Sequence, residues 1–298
     1  MNKSILTISI PTYNRPEQVK NQVVNLLPQL NNRVKLIIID NNSDIPVSTL
    51  FNKDILEKIT IYTNPTNIGG DANIAKCFEF CTTQWLWTLS DDDYVMPNAI
   101  EIVLEEIDKY SEAVYINLWN HTPVRSLKSS DFISEFKFAN IYISSFAMSY
   151  CLYNMNKLLP YLHYYYDSLS SKVGTVIMVL KYIIDNPNSI SVLSNNNPIS
   201  SNNAEVGWNT YNFIKRSRLF IEAFNNDKIY NSTLFRGCHN TNFILIKLNR
   251  KSSNLTNKKL WKLFFHQIKT QKLINVIKYS FRRSLSTFFF LIRKSLLN

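Results

Sequence analysis

The chain has 298 residues, 45% of them hydrophobic and 13% aromatic, with a formal net charge of +11. That apolar content excludes a disordered chain and supplies a substantial core, so one large domain with an appendage is expected. The charge is one-sided: residues 1–227 carry 18 Lys and Arg against all 22 Asp and Glu, giving −4, whereas residues 228–298 carry the other 15 bases and no acid. Such a basic tail suits an anionic surface, lipid or nucleic acid.

Met1 leads straight into a strand pattern with no long apolar segment and no cleavage site, so a secretory leader is not expected and the sequence reads as cytoplasmic. The longest apolar run in the tail, Phe288 to Ile292, is too short to span a bilayer. Cys77, Cys81, Cys151 and Cys238 form no CxxC pair and read as buried reduced thiols.

In chain order, Leu6–Ile10 is a short β-rich run. The loop Pro11-Thr12-Tyr13-Asn14-Arg15-Pro16 follows it, then a helix pattern from Glu17 to about Leu30. Val34–Ile39 is a continuous β-branched run ending at Asp40-Asn41-Asn42-Ser43-Asp44, the pattern of a strand buried on both faces with polar groups at its carboxyl end. Ile59–Thr63 is a third strand, leading into Asn64-Pro65-Thr66-Asn67-Ile68-Gly69-Gly70. Asp71–Cys81 reads as helix, Trp85–Leu89 as strand, Asn98–Tyr110 as helix and Ala113–Leu118 as strand. This alternation predicts an α/β fold with a mostly parallel sheet flanked by helices, whose ligand sits outside the carboxyl ends of the strands.

Past Asn120 the pattern weakens. Ile141–Tyr153 fits a strand or a buried helix equally, and periodicity does not separate the two. Leu169–Ile184 reads as helix, Ser189–Leu193 as strand, Asn195–Asn203 as loop and Trp208–Phe224 as helix. From Asn257 onward Ile274, Ile277, Phe281, Leu285, Phe288 and Ile292 recur at three or four residues, interleaved with Lys278, Arg282, Arg283, Arg293 and Lys294. A basic amphipathic helix of this kind lies in a membrane interface or packs on the domain with its basic face in water.

Ser90-Asp91-Asp92-Asp93 ends the apolar run Trp85–Leu89. One aspartate there suits a turn or helix start, but three in succession repel one another unless a cation intervenes. Carboxylate oxygens suit hard divalent ions such as Mg²⁺ or Mn²⁺, which fill their remaining positions with water and substrate phosphate. Gly69-Gly70 either turns the chain into a helix or allows close backbone approach to a ligand. His163 and His239 fit a late metal or phosphate contact, or an ordinary structural role.

Ile8-Ser9-Ile10-Pro11-Thr12-Tyr13-Asn14-Arg15, Ile38-Ile39-Asp40-Asn41-Asn42-Ser43-Asp44, Asn67-Ile68-Gly69-Gly70 with Asn73 and Ala75, and Leu89-Ser90-Asp91-Asp92-Asp93 together resemble the inverting glycosyltransferases of family 2, which have the GT-A fold. The order and spacing match over roughly the first 110 residues.

The resemblance implies a nucleotide-sugar-binding half in residues 1–110, an acceptor-binding half in 111–205 and a basic helical extension in 206–298. It implies nucleotide contacts from Pro11, Thr12, Tyr13, Asn14, Arg15, Asp40, Asn42, Asn67, Gly69, Gly70, Asn73, Asp91 and Asp92. Asp40 would hydrogen-bond the base, and Asp91 and Asp93 would frame a DXD motif for a divalent metal, Mg²⁺ or Mn²⁺. The implied activity is inverting transfer from a nucleotide-sugar donor, a UDP-sugar, to a saccharide or lipid-linked saccharide acceptor, as in bacterial capsule, O-antigen or lipopolysaccharide assembly. The tail would then hold the enzyme peripherally on the anionic inner face of the cell membrane, with no nucleic acid involved.

The family's acceptor base is usually a Glu-Asp pair before a later helix. No such pair follows Asp93, and Asp167, ahead of the Leu169–Ile184 helix, is the nearest positional equivalent, equally suited to capping that helix. The competing expectation is therefore a non-catalytic, degenerate GT-A module that binds a partner at the membrane. A P-loop nucleotide hydrolase and a dinucleotide dehydrogenase are set aside because the chain has neither GxxxxGK[ST] nor GxGxxG at the required places.

Overall fold

The computed structural model describes residues 4–119, 121–136, 138, 141, 144, 145, 147–200, 223 and 224. The predicted Trp208–Phe224 helix (all but its last two residues), the basic tail, Cys238 and His239 fall outside these. The chain divides into two compact units, one of Met1–Phe132, Ser144–Leu169 and Val173–Val206, the other of Ile133–Ile143, Ser170–Lys172 and Gly207–Asn298. Every strand of the sheet belongs to the first unit.

β1 (Leu6–Thr12), β2 (Val34–Asp40), β3 (Ile59–Thr63) and β4 (Trp85–Thr88) pair in parallel, with β1 central. β5 (Ala113–Asn117), β6 (Arg125–Lys128), β7 (Cys151–Asn154) and β8 (Ile190–Leu193) extend the sheet to the order β3-β2-β1-β4-β7-β5-β8-β6. β7 inserts antiparallel between β4 and β5, and β6 pairs antiparallel with β8, so six of the eight described strands run one way.

All seven residues of β1 are buried, as they must be in a central strand covered on both faces. The core beneath the site includes Leu6, Ile8, Ile10, Trp85 and Trp87, each at most 1% exposed. An indole of this size buries about 150–250 Å², an upper-bound contribution of roughly 4–6 kcal/mol at about 25 cal/mol per Å².

Helix α1 (Pro16–Leu26) starts on a proline whose fixed φ suits the first helical position, and buries Val19, Gln22, Val23 and Leu26 along one face. It stops before the predicted Leu30 because Pro28 has no N–H to donate, and a 3-10 turn, Leu27–Gln29, takes over. α2 (Lys53–Leu56) is a single turn capped by the Asn52 side chain. α3 (Gly70–Glu79) follows Gly69, whose φ of +88° is the reason for a glycine there. α4 (Ala99–Lys109) covers the sheet with Ile100, Val103, Leu104 and Ile107.

The second half holds α5 (Ser129–Glu135), α6 (Met155–Leu158), α7 (Leu162–Asp167) and α8 (Gly174–Asp185). The ambiguous Ile141–Tyr153 stretch resolves at its end into a 3-10 turn, Met148–Tyr150, running into β7. The long helix predicted from Leu169 begins at Gly174 instead, because the backbone makes a 3-10 turn at Leu169–Ser171 and Lys172 takes φ +63°. Asp167 therefore closes α7 and does not cap α8, whose N-cap is Val173. No helix among the described residues is long and apolar enough to cross a membrane.

Candidate active site

The carboxyl ends of the parallel strands converge on one edge. The β1/β2 register sets Thr12 beside Asp40, and the β1/β4 register sets Ser9 beside Thr88, so the loops leaving all three strands emerge side by side. Between the first two lies a cleft of about 190 Å³ lined by Thr12, Asn14, Arg15, Ser43, Asp44 and Ile45, among others. That is below the about 300–1,000 Å³ of a drug-sized pocket and suits a base better than a whole nucleotide sugar.

The loops clamp each other. Asn14, held at φ +52°, donates its backbone N–H to Ser43 Oγ (2.9 Å) and its side-chain amide to Asp44 Oδ2 (3.1 Å), while Asp44 N–H returns a bond to Asn14 Oδ1 (2.8 Å). Asn42 turns the second loop at φ +65°, which asparagine tolerates, and is exposed. Tyr13, next to the lining residues Thr12 and Asn14 in sequence, is also exposed.

Asp40 is fully buried. Its Oδ1 accepts from Ser43 N–H (3.0 Å) and Ser43 Oγ–H (2.6 Å), whereas Oδ2 has no partner. An unpaired buried acceptor costs about 1–3 kcal/mol, so the fold carries a penalty there that an N–H donor would relieve.

An asparagine brace lies behind the cleft. Asn41 Oδ1 accepts from Asn64 Nδ2 (3.0 Å) and Ile68 N–H (3.0 Å), and Asn41 Nδ2 donates to Asn67 Oδ1 (2.8 Å), which also accepts from Gly69 N–H (2.9 Å). Asn73 is buried; its amide donates to Ile39 O (3.0 Å) and Thr12 O (3.4 Å), and its oxygen accepts from Asn64. The geometry thus gives Asn67 and Asn73, expected as nucleotide contacts, the task of holding the walls. A Cβ on Gly69 or Gly70 would meet nothing within 4 Å, so the space above both is open.

The three aspartates form the adjoining wall. Asp91 is 6% exposed and accepts from Thr12 Oγ1–H (2.7 Å) and Arg15 Nη1–H (2.9 Å). The same Arg15 nitrogen donates to Asp92 Oδ2 (2.7 Å), and Ser90 Oγ–H to Asp92 Oδ1 (2.5 Å). Gln22 fixes the turn's backbone, donating to Ser90 O (2.9 Å) and Asp93 O (2.7 Å).

Burial raises the Asp91 carboxyl above its ordinary pKa despite the bonds from Thr12 and Arg15. At Asp92 burial also pushes upward, but the bonds from Ser90 and Arg15 outweigh it and the net shift is down. Asp93 is raised, first by burial and then by the charges of Asp92 and Asp91, against a hydrogen bond from Ser149. Burial works to lower the Arg15 pKa, and its two carboxylate partners more than reverse that.

The cation anticipated at this strand end is thus, in part, Arg15 itself. The donors still fit a hard divalent ion: they are all oxygens, and Asp93 has no cationic partner among the described residues. No three His, Cys, Asp or Glu side chains among the described residues form a ready-made cage. Asp91 and Asp93 would therefore hold such an ion together with water and ligand phosphate.

Other roles lay beyond sequence reasoning. Gln22 is detectable as a polar residue on the apolar stripe of α1; Ser149 and Tyr150 carry no local signal. Asp167, the expected base, is exposed at the end of α7, whose Tyr165 packs edge-on against Phe78 of α3. His163 is also exposed, with Nδ1 within 3.0 Å of Pro160 O.

S. aureus TarS residues 1–349 superimposes with a TM-score of 0.60 at 12% identity, covering 98% of this chain and 91% of that one, and its UDP complex gives 0.59. The mannosyltransferase PcManGT of Pyrobaculum calidifontis, in complex with GDP-Man and Mn²⁺, gives 0.50 at 9% identity over 99% and 87% of the two chains. These likenesses establish the fold, which is GT-A. A glycosyltransferase of Haemophilus influenzae is 30% identical over 105 residues, 35% of each chain, so the match spans about a third of that relative's length. The family model for glycosyl transferase family 2 matches residues 7–156, from within β1 to just past β7, half of the chain and all of the cleft and acidic turn just described. The chain belongs to glycosyl transferase family 2.

Proposed function

We propose that the protein transfers a sugar from a UDP-sugar to an acceptor hydroxyl with inversion, assisted by a divalent ion. One observation carries this reading: Thr12 and Arg15 line the base-sized cleft and also hydrogen-bond the acidic turn. A nucleoside site is thereby continuous with a diphosphate site. Solved relatives of the same fold are described in complex with UDP, UDP-GlcNAc and, with Mn²⁺, GDP-Man.

In this reading the unpaired Asp40 Oδ2 accepts the imide N–H of uracil, and Tyr13 covers the base. Arg15 neutralises phosphate charge, and the N-terminus of α3 with the open space over Gly69 and Gly70 receives the pyrophosphate. A divalent ion on Asp91 and Asp93 would supply Lewis-acid stabilisation of the departing diphosphate. Asp167 is assigned as the base that takes the acceptor hydroxyl's proton, since no Glu-Asp pair follows Asp93. The 15 bases and no acids of residues 228–298 support the part of this reading in which the enzyme lies on an anionic membrane beside a lipid-linked acceptor, as in surface polysaccharide assembly, each base near the surface contributing about 1 kcal/mol.

The test is release of UDP from a panel of UDP-sugars, with a membrane extract as acceptor, in the presence of Mg²⁺ or Mn²⁺ and then EDTA. Metal-dependent release that Asp93→Ala abolishes supports the reading; undiminished release with EDTA and Asp93→Ala removes the metal from it. No UDP binding at all would leave the non-catalytic membrane module. Full-length protein that ignores anionic liposomes at low salt would remove the membrane arm.

A further inference from the structure

Resting on that reading of the site, we infer that Trp119, braced by Tyr150, is a stacking platform for a pyranose ring and sets which sugar the enzyme handles. The order along the sheet edge leads to it. The base cleft lies at the ends of β2 and β1, the acidic turn follows β4, and the next strands are β7 and β5. At about 4.8 Å per strand, β5 lies about 10 Å beyond β4, on the side away from the cleft. A donor whose base sits in the cleft and whose phosphates reach the aspartates points its sugar toward these two strands.

What stands there is aromatic. Trp119 follows β5 and is 36% exposed, and its ring centroid lies 4.3 Å from that of Tyr150, just before β7, at an interplanar angle of 54°. Tyr150, against which Trp119 packs, adjoins the acidic turn through its neighbour Ser149. Ser149 Oγ accepts from Ser90 N–H (2.9 Å) and hydrogen-bonds Asp93, Trp87 Nε1–H donates to Ser149 O (2.8 Å), and the Asp93 charge adds to burial in raising the Tyr150 pKa.

A lone exposed aromatic is ordinary, but this one is held. Trp119 N–H donates to Asn117 Oδ1 (3.1 Å), and Leu118 N–H to Tyr150 O (2.7 Å). Asn117, fully buried, is itself fixed by donating to Tyr115 Oη (3.0 Å) and Ser144 Oγ (3.1 Å), with His121 Nε2 at 2.8 Å from its oxygen. This buried polar network fixes the backbone from which the solvent-facing Trp119 projects. A sugar has an apolar C–H face and a polar hydroxyl rim, so an indole packed on Tyr150 at the same sheet edge as the acidic turn offers each its complement.

The ring could belong to the donor's sugar or to the acceptor's terminal saccharide. Calorimetry with UDP, UDP-glucose and UDP-GlcNAc separates these sources when combined with transfer kinetics at saturating donor, using methyl glycosides as acceptors. Trp119→Ala should bind UDP like the wild type, which also reports an intact fold. A donor sugar on the platform predicts about a tenfold loss of the extra affinity of UDP-sugar over UDP, equal to about 1.4 kcal/mol. An acceptor sugar predicts unchanged donor binding and about a tenfold rise in acceptor KM with kcat retained. Trp119→Phe should restore most of either effect. If Trp119→Ala matches the wild type in both arms while UDP still binds, the platform is refuted and the nucleotide-sugar reading stands. If wild-type protein does not bind UDP, that reading fails first and the platform with it.

Discussion

Arg15→Met isolates the electrostatics of the site. The guanidinium lies 2.9 Å from Asp91 and 2.7 Å from Asp92. With charge centres about 4 Å apart and an effective dielectric near 20, each attraction is about 4 kcal/mol before solvent is counted. Because Arg15 is 43% exposed, screening and the entropy of holding the side chain reduce this to about 1–2 kcal/mol net. The variant also leaves Asp91 and Asp92 without their cation beside Asp93, so we expect a total loss of about 2 kcal/mol at pH 7. For a unit of about 200 residues this is a fall in Tm of roughly 4–8 °C.

The effect has a signed pH dependence. Asp92 stands below the ordinary carboxylate value and contributes stability that is lost as pH falls through its folded pKa; Asp91 and Asp93 stand above it and are first to take protons on acidification. As Asp91 and Asp93 begin to neutralise, the wild type loses the Asp91 part of its attraction and the variant part of its repulsion, so the gap between them should narrow from pH 7 to pH 4 while Asp92 keeps its charge. Thermal unfolding followed by circular dichroism at both pH values measures it. Added Mn²⁺ should stabilise the variant by about 2.7 kcal/mol at a free concentration about a hundredfold above the variant's Kd, and the wild type by less at that concentration, since Arg15 no longer competes for Asp91 in the variant. A gap that is constant with pH and indifferent to Mn²⁺ would show that Arg15 acts by packing, and the electrostatic account of the site would fall.

Three further outcomes follow from the geometry. Asp40→Ala should weaken UDP binding by about 1.5–3 kcal/mol, the usual loss of a hydrogen bond to a charged group; unchanged affinity by calorimetry would place the base elsewhere. Asp167→Asn should lower turnover by about a hundredfold with donor binding preserved, and near-normal turnover would move the proton acceptor to another group. His121 is buried, its pKa lowered to about 4 by desolvation and then by Arg125. Its stability contribution is complete above the ordinary value near 6.5 and is lost as pH falls through about 4, so His121→Gln should remove up to about 3 kcal/mol of acid sensitivity in denaturant midpoints across that window; an unchanged slope would refute it.

Much of the fold's first half was legible because its signals are local. Continuous β-branched runs ended at polar clusters, and helical periodicity filled the gaps between them, so β1 to β5 and α1, α3 and α4 emerged near their observed bounds. What escaped depends on distance or on single backbone angles. Arg15 and Asp91 are 76 residues apart, and only the β1/β4 register makes them partners. The left-handed Lys172, a residue type with no preference for that conformation, delayed α8 by five residues relative to the periodicity. The short strand β7 hid in an apolar stretch where helix and strand patterns coincide, and Ser149 and Tyr150 were hidden with it.

The insertion of β7 also governs how the protein must be made. Until residues 151–154 arrive, β4 has a partner only on its β1 side, and its other edge, carrying Trp85, Leu86 and Trp87, offers unpaired backbone groups beside bulky apolar side chains. Such an edge is a template for pairing with another chain. During synthesis at about 5–20 residues per second, the roughly 60 residues between β4 and β7 leave that edge open for several seconds. Proteolytic sensitivity near β4 in arrested nascent chains should therefore end abruptly once Asn154 has cleared the ribosome, and only then can the acidic turn acquire its contact from Ser149.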